Sequence, residues 1–267
     1  MSDFWSRIVV GLVGLPLVFG LLWVGGWYLC ALLVAAALVS LHELYTMARP
    51  MRPLVLAGYG GAALALVGAR WGGIGWMLAG FLAVFVLAFV LNGIAETRAP
   101  ATVAISVTVF GAAWIGFGLG HLMLLRQIPK HAQLAVFTVV LTVFAADTAA
   151  YAVGRLVGRH KLAPVLSPGK TWEGFVAGAI AGIFVSFVAL YQDKKHFLTV
   201  WQAIVLGAVV VLASVIGDVF ESALKRDLEV KDSGRILAGH GGMLDRLDAI
   251  LFAAPAAYYL IAAFHYA

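Results

Sequence analysis

Long, uninterrupted apolar runs constrain the fold of this 267-residue chain more than any other feature. A membrane-spanning α-helix needs about 20 apolar residues, and runs of that length follow one another along the chain. Because the runs are continuous rather than alternating, helices are favoured over the strands of a membrane barrel. We predict an all-α, polytopic transmembrane helical bundle with nine spans, at residues 8–25, 27–47, 53–70, 74–92, 102–125, 133–156, 173–191, 201–221 and 248–265.

The sparse charge supports a membrane protein and predicts its orientation. Only 12% of the residues are charged, whereas about a quarter are charged in a typical soluble domain. The net charge of +5 comes from Lys and Arg residues between apolar runs, so we do not expect nucleic acid as a partner. With the N-terminus in the cytoplasm, 13 of the 18 basic residues lie on the cytoplasmic side. This asymmetry predicts that the polar loops at 155–172 and 222–247 both face the cytoplasm.

Small residues recur at four-residue intervals in one predicted span. Gly174, Gly178 and Gly182 share one helix face, and Gly154 and Gly158 repeat the spacing upstream. In lipid, such a face lets two helix backbones approach closely. The contact is either between helices of one chain or between protomers, so the pattern is compatible with a homodimer.

A charged segment at residues 218–248 stands out from the apolar background. It contains 7 of the 13 acidic residues, together with 5 basic ones. Asp245 and Asp248 share a helix face where the last span begins. Another helix face, at the start of the segment, carries Asp218, Glu221, Ser222 and Lys225.

These carboxylates predict a metal-dependent site. Carboxylates at a membrane surface are costly unless they are paired or metal-bound. Oxygen ligands suit Mg²⁺, which shares its coordination with substrate phosphates. The glycines of Gly239-His240-Gly241-Gly242 allow a close approach to phosphate, and we therefore predict phosphoryl or nucleotidyl transfer. His240 has no Cys or second His at zinc-ligand spacing, so it contacts a phosphate or bonds within the loop.

A second polar set lies upstream. Asp147 interrupts an apolar run, which indicates a functional site unless it makes a structural hydrogen bond to Thr148 or to a neighbouring helix. Ser167 followed by Pro168 predicts a helix N-cap and first turn. That helix end would attract phosphate, with Lys170 adding a cation.

Three acidic residues, Glu43, Asp227 and Glu229, are not assigned to the predicted site. His42 and Glu43, near the end of the second predicted span, anchor a helix end or bond internally rather than perform chemistry. Asp227 and Glu229 are interpreted as solvated loop charges.

The two polar sets together resemble the phosphatidate cytidylyltransferases, also called CDP-diacylglycerol synthases. Upstream, the stretches that begin at Asp147 and at Ser167 look like family elements, and the motifs together cover residues 140–250. Ala238 departs from the Pro or Gly usual at its position, which weakens the expectation of a rigid loop but removes no side-chain chemistry. The C-terminal family signature is matched by Ser222, Leu224, Lys225, Arg226, Lys231, Asp232, Gly234, His240, Gly241, Gly242, Met243, Asp245, Arg246, Leu247 and Asp248.

The resemblance implies transfer of CMP from CTP to phosphatidic acid, which gives CDP-diacylglycerol and pyrophosphate in phospholipid biosynthesis. It implies Mg²⁺ as a cofactor and allows a monovalent cation such as K⁺ in the same site. The attacking phosphate is already an anion, so alignment and charge neutralisation replace a strong general base. The resemblance also implies an integral protein of the bacterial cytoplasmic (inner) membrane, with its active site facing the cytoplasm.

The resemblance also suggests residue roles and a division of the chain. We expect N-terminal transmembrane helices at 1–130 and a C-terminal transmembrane catalytic region at 131–267. The expected metal ligands are first Asp218 and Asp245, then Asp248 and Asp147. The expected catalytic residues are Asp218, Lys225, Arg226, Asp245 and Asp248. The expected substrate-binding residues are Ser167, Lys170, Thr171, Ser222, Lys231, Asp232, His240, Gly241, Gly242 and Arg246.

Two alternatives stay open. An enzyme that uses CTP on another lipid phosphate, such as the ether lipid of archaea, would need the same charged segment. An ion-coupled transporter could use Asp147 in an ion path, although it has little use for a glycine-rich loop between acid-bearing helix ends.

Overall fold

Helices dominate the computed structural model, which describes residues 2–94, 100–190, 197–234 and 241–266, with side chains from residue 12 to residue 264 of those ranges. The α-helices are α1 (Ser2–Val24), α2 (Gly26–Met47), α3 (Val55–Ile94), α4 (Ala101–Gly111), α5 (Gly118–Leu125), α6 (Ala132–Val157), α7 (Trp172–Ser186), α8 (Val200–Asp227) and α9 (Leu244–Tyr266). Shorter helical turns are the 3₁₀ segments Arg49–Met51 and Phe187–Leu190 and the π segment Ala112–Phe117. Strands β1 (Lys161–Ala163) and β2 (Ser167–Thr171) pair antiparallel.

Many of the helices have the length and apolar character of membrane spans. Exposed apolar side chains such as Leu82 and Phe184, at 62% and 74% exposure, suit a surface in contact with lipid. The all-α class and an integral membrane protein are therefore confirmed, while the count of nine spans stays a prediction. Within the described ranges, seven segments are long and apolar enough to cross a membrane: Gly26–Met47, Val55–Ile94, Ala101–Leu125, Ala132–Val157, Trp172–Leu190, Val200–Asp227 and Leu244–Phe264.

Helix α3 turns back on itself at Gly72 and Gly73, where the backbone leaves the helical region and Gly73 has φ of 72°. A straight helix of 40 residues would extend about 60 Å, twice the thickness of the hydrocarbon core. Instead the two halves lie side by side, with Gly80 against the backbone of Ala65. The missing Cβ permits this close approach. The third and fourth predicted spans are therefore the two halves of α3, and the glycine pair between them is the turn.

The chain divides into two compact units. The charged segment contributes to both, because residues 218–227 and Asp248 belong to the second unit and residues 228–247 to the first. The predicted functional division at residue 130 stays a prediction. Unit 1 comprises residues 1–124 and 228–247, and unit 2 comprises residues 125–227 and 248–267.

In unit 1, a hydrogen-bond network holds the C-terminal turns of α2. The Tyr45 hydroxyl donates to the carbonyl oxygen of Thr108 at 2.7 Å. The Thr108 hydroxyl accepts from the Leu54 amide and donates to the Ala104 carbonyl, both at 2.7 Å. All these groups are buried or partly buried, where a paired polar group is favoured. The network fixes the part of α2 that carries Glu43.

In unit 2, the glycine face of α7 packs against α6. A methyl group placed on Gly174 would lie 2.6 Å from the carbonyl oxygen of Ala150, and one on Gly178 would lie 2.8 Å from that of Ala146. These glycines therefore serve helix packing within one chain, which is one of the two predicted alternatives. A homodimer stays a prediction, and the glycine face of α7 is no longer an argument for it.

The prediction that Ser167 caps a helix is wrong. Residues Ser167–Thr171 form β2, and α7 begins only at Trp172. Pairing with β1 keeps the backbone extended as far as Thr171, a conformation that the ring of Pro168 accepts at the edge of a sheet. Thr171 is the N-cap instead, and its hydroxyl accepts from the Gly174 amide at 3.1 Å. Lys170 therefore lies in a strand, one residue before the cap of α7.

Candidate active site

Unit 2 brings together three residues predicted from separate motifs. Lys170, on β2, forms an ion pair with Asp218, on α8. Asp147, on α6, interacts electrostatically with both. The side chains of Lys170 and Asp218 are 24% and 31% exposed, so a ligand can reach them. Asp147 is also accessible rather than enclosed, which favours a role in ligand binding over a buried structural hydrogen bond.

A third carboxyl group joins this cluster from the first turns of α9. Asp248 is only 6% exposed, and its carboxyl group interacts electrostatically with that of Asp218. Two neighbouring carboxylates repel each other, so a bound cation would stabilise the pair. Asp248 also interacts with Glu221, which accepts from the Lys225 ammonium at 2.9 Å. The predicted polar face of α8 is thus confirmed for Asp218, Glu221 and Lys225.

Gly217 explains how α8 and α9 come close enough for this contact. A methyl group on Gly217 would meet the backbone carbonyl of Asp248 and would lie 3.1 Å from the ring of Phe252. Gly217 was not among the predicted site residues. The available signal was a glycine within an apolar span, directly before Asp218, since a small residue lets helix backbones approach closely.

In unit 1, Asp245 organises the turn that precedes and begins α9. Its carboxylate accepts from the Gly242 amide at 2.9 Å and from the Ser233 amide at 3.2 Å. Such bonds satisfy amides that have no partner inside the helix, and the positive end of the helix dipole favours the negative charge. Gly241, with φ of 81°, supplies the left-handed turn that only glycine adopts readily.

Glu43 binds the same turn from α2. Its side chain is 2% exposed and accepts from the Met243 amide at 3.0 Å, the Leu244 amide at 2.9 Å and the Ser233 hydroxyl at 3.1 Å. The interpretation of Glu43 as an internal hydrogen-bonding residue is confirmed. Ser233 was not predicted, because its partner is 190 residues away in the chain and no local pattern reveals such a pair.

The other predicted site residues vary in exposure. Thr171 is buried and its hydroxyl caps α7, while Ser167 and Ser222 are half-buried. Lys231 and Asp232 line an open depression in unit 1. His240 lies outside the described residues. The exposed residues are Arg226, Lys231, Asp232 and Arg246.

The oxygen-only donor set of the unit 2 cluster fits Mg²⁺ in its chemistry. Asp147, Asp218 and Asp248 place three carboxyl groups near the ammonium of Lys170. In the described ranges, no group of three or more His, Cys, Asp or Glu side chains is placed to hold a metal ion. Mg²⁺ commonly takes only one or two carboxylates and completes its coordination with water and substrate phosphates. The cluster could therefore hold the ion as part of a substrate complex.

Comparison with known proteins gives matches over nearly the whole chain. Residues 5–264 match the model of the cytidylyltransferase family. A Mycobacterium bovis protein named phosphatidate cytidylyltransferase is 35% identical over 279 residues, covering 97% of this chain and 88% of the relative. A Mycobacterium tuberculosis protein of the same name is also 35% identical, covering 97% and 82%. A Staphylococcus haemolyticus protein of that name is 32% identical over 253 residues, covering 93% and 95%.

Proposed function

The chain belongs to the cytidylyltransferase family, and we propose on that basis that it transfers CMP from CTP to phosphatidic acid. The products are CDP-diacylglycerol and pyrophosphate. The observation that carries this proposal is the match, over more than nine-tenths of the chain, to mycobacterial and staphylococcal proteins named phosphatidate cytidylyltransferase. The accessible cluster of Lys170 and three carboxyl groups in an apolar chain supports it.

The proposed reaction needs alignment and charge neutralisation more than acid–base chemistry. A phosphate oxygen of phosphatidic acid attacks the α-phosphorus of CTP. The bond from that phosphorus to the oxygen bridging the β-phosphate breaks, and pyrophosphate leaves with the electron pair. The nucleophile is already an anion, so the protein must hold the two phosphates in line and reduce the repulsion between them.

In the proposed reaction, Lys170 and the carboxyl groups of unit 2 have different roles. The Lys170 ammonium, held at the end of β2 by Asp218, would bind a phosphate oxygen. Mg²⁺, held by one or two of the carboxylates of Asp147, Asp218 and Asp248 together with the substrate phosphates, would neutralise the triphosphate when bound. Asp245 stays a predicted ligand, because the two amides that it accepts from leave lone pairs on its carboxylate. A second cation such as K⁺ is part of the same proposal.

Pyrophosphate release by the purified protein tests the function. In mixed micelles of detergent and phosphatidate, release should require both CTP and phosphatidate, should stop with EDTA and should return with excess Mg²⁺. A parallel series with an archaeal-type ether lipid phosphate separates the two lipid substrates. Faster turnover of the ether lipid would identify that lipid, rather than phosphatidate, as the substrate. No CTP-dependent release with either lipid would refute the proposal and revive the transporter alternative.

The cytoplasmic location of the site is a further part of the proposal and rests on the distribution of Lys and Arg. The only cysteine, Cys30, is buried, so a new surface thiol can be labelled selectively. A membrane-impermeant thiol reagent should label Lys161→Cys in inside-out vesicles of the inner membrane but not in intact spheroplasts. Labelling in spheroplasts would place β1 on the opposite face.

A further inference from the structure

Glu43 lies far from the charged segment in sequence and yet accepts three hydrogen bonds from residues of that segment. Its carboxylate is buried, and each oxygen accepts at least one bond: Oε1 from the Met243 amide, and Oε2 from the Leu244 amide and the Ser233 hydroxyl. A buried carboxylate is stable only when such donors replace water. The start of α9 supplies them, together with the positive end of its dipole.

Glu43 and Asp245 are linked through one residue. Ser233 donates its hydroxyl to Glu43 at 3.1 Å and its amide to Asp245 at 3.2 Å. Glu43 and Asp245 also accept hydrogen bonds from successive amides of the same turn. Asp245 accepts from the Gly242 amide, whereas Glu43 accepts from the Met243 and Leu244 amides. The orientation of Asp245 therefore depends on where Glu43 holds this turn.

The close approach of Glu43 requires glycine at position 242. A methyl group on Gly242 would lie 2.6 Å from Glu43 Oε2, and one on Gly234 would lie 2.5 Å from Oε1. Both distances are far below an ordinary contact between carbon and oxygen. The glycines near His240 were predicted to permit the close approach of a phosphate. At Gly242, the hydroxyl of Ser233 and the carboxylate of Glu43 already occupy the space that a side chain would need.

From these contacts we infer that Glu43 is a positioning residue, which sets the turn at Gly241–Leu244 and, through Ser233, the carboxylate of Asp245. The inference rests on the proposed function, in which Asp245 acts on the substrate phosphates or their cation. Glu43 itself is 2% exposed, and both of its oxygens accept hydrogen bonds within the protein. It therefore acts through Asp245 rather than on the substrate.

Glu43→Gln is the informative substitution. It preserves the size of the side chain but replaces one accepting oxygen by an NH₂ group. Because Oε1 and Oε2 each face a backbone amide, either orientation of the new amide sets a donor against a donor. Glu229→Gln is the matched control, since the same chemical change is made at an exposed position of unit 1. Ser233→Ala is a milder second variant that removes only the hydroxyl bond to Glu43.

Hydrogen exchange of the substrate-free protein, read by mass spectrometry on peptides covering residues 241–248, tests the positioning directly. In Glu43→Gln, amide exchange in this turn should become about tenfold faster or more, with α3 unchanged and with Glu229→Gln behaving as the wild type. Ser233→Ala should show a smaller rise in the same peptides, which keeps the test valid if Glu43→Gln does not fold. Unchanged exchange in this turn in the folded variants overturns the inference.

Turnover supplies the second readout. In Glu43→Gln, kcat per folded molecule should fall about tenfold to a hundredfold while the KM for CTP changes less than threefold. The effects of Glu43→Gln and Ser233→Ala should be non-additive when combined, because both act on one turn. A purely structural role would lower the yield of folded protein and leave kcat per folded molecule unchanged, which overturns the inference. Inactive wild-type protein would instead refute the proposed function, and the exchange experiment would still decide the role of Glu43.

Discussion

The two units hold their carboxylates in opposite ways. In unit 1, Glu43 and Asp245 accept hydrogen bonds from backbone amides and the Ser233 hydroxyl, so their charge is matched by neutral donors of the protein. In unit 2, Asp147 and Asp248 each interact with Asp218, which pairs with the ammonium of Lys170. Carboxylates satisfied by amides are fixed in place, whereas crowded carboxylates need an additional cation. The first arrangement suits orientation of a loop, and the second suits binding of a charged ligand.

Asp218→Asn should produce the largest effect. It tests whether the unit 2 cluster binds the charged ligand. Loss of the carboxylate removes the partner of Lys170 and of Asp248, so we expect turnover to fall about a thousandfold. Pyrophosphate release at saturating CTP and phosphatidate measures it. The control is Asp227→Asn, at an exposed position near the end of the same helix, which should stay near the wild-type rate. Comparable rates for the two variants would remove Asp218 from the site.

Asp245→Asn should have a smaller effect, because an amide oxygen retains part of the hydrogen bonding in unit 1. One accepting oxygen remains for the Gly242 or Ser233 amide, while the negative charge is lost. We expect turnover to fall about a hundredfold in a protein that still unfolds cooperatively in detergent. Near-normal turnover with Mg²⁺ would rule out an essential role for Asp245 and would leave unit 1 with a purely structural carboxylate pair.

Lys170→Gln tests what the ammonium group contributes to the unit 2 cluster. The substitution leaves three carboxyl groups without their ammonium, and we expect the KM for CTP to rise about tenfold, with a smaller change in kcat. Raising the Mg²⁺ concentration should recover part of the loss. Lys161→Gln, on the exposed strand β1, is the control. An unchanged KM for CTP in Lys170→Gln would argue that Lys170 serves only to hold Asp218.

Gly242→Ala should produce the smallest of these effects, and it concerns stability. The added methyl group would press on Ser233 Oγ and Glu43 Oε2, and overpacking of this kind costs about 1 to 3 kcal/mol of unfolding free energy. Gly75→Ala provides the control, because open space surrounds Gly75 and alanine is favoured over glycine in a helix. Thermal unfolding in detergent should therefore separate the two variants. Equal stabilities would contradict the close approach of Glu43.

The helices were predictable because their signal is local. The span predicted at 133–156 corresponds to α6 at Ala132–Val157, and the gap between the spans predicted at 53–70 and 74–92 contains the glycine turn of α3. Helical spacing also predicted the polar face of α8 correctly. In each case a run of neighbouring residues contains the whole physical cause, namely burial in lipid or a shared helix face.

The contacts of the candidate site were less predictable because they join distant residues. The local Ser167-Pro168 pattern was misleading, since pairing with β1 determines the conformation of this segment and Thr171 provides the cap. Asp147 and Lys170 were singled out separately, but their meeting with Asp218 depends on how α6, β2 and α8 pack. Glu43 and Ser233 could not be linked at all, because neither local spacing nor composition relates residues 190 positions apart.

The hairpin of α3 has a consequence for how the protein enters its membrane. Each half is rich in glycine, and a glycine-rich helix alone would expose polar backbone to lipid. With Gly80 against the backbone of Ala65, each half covers the other. Residues 55–94 can therefore enter the membrane as a pair, with both outer ends at one membrane surface and the short glycine turn at the other.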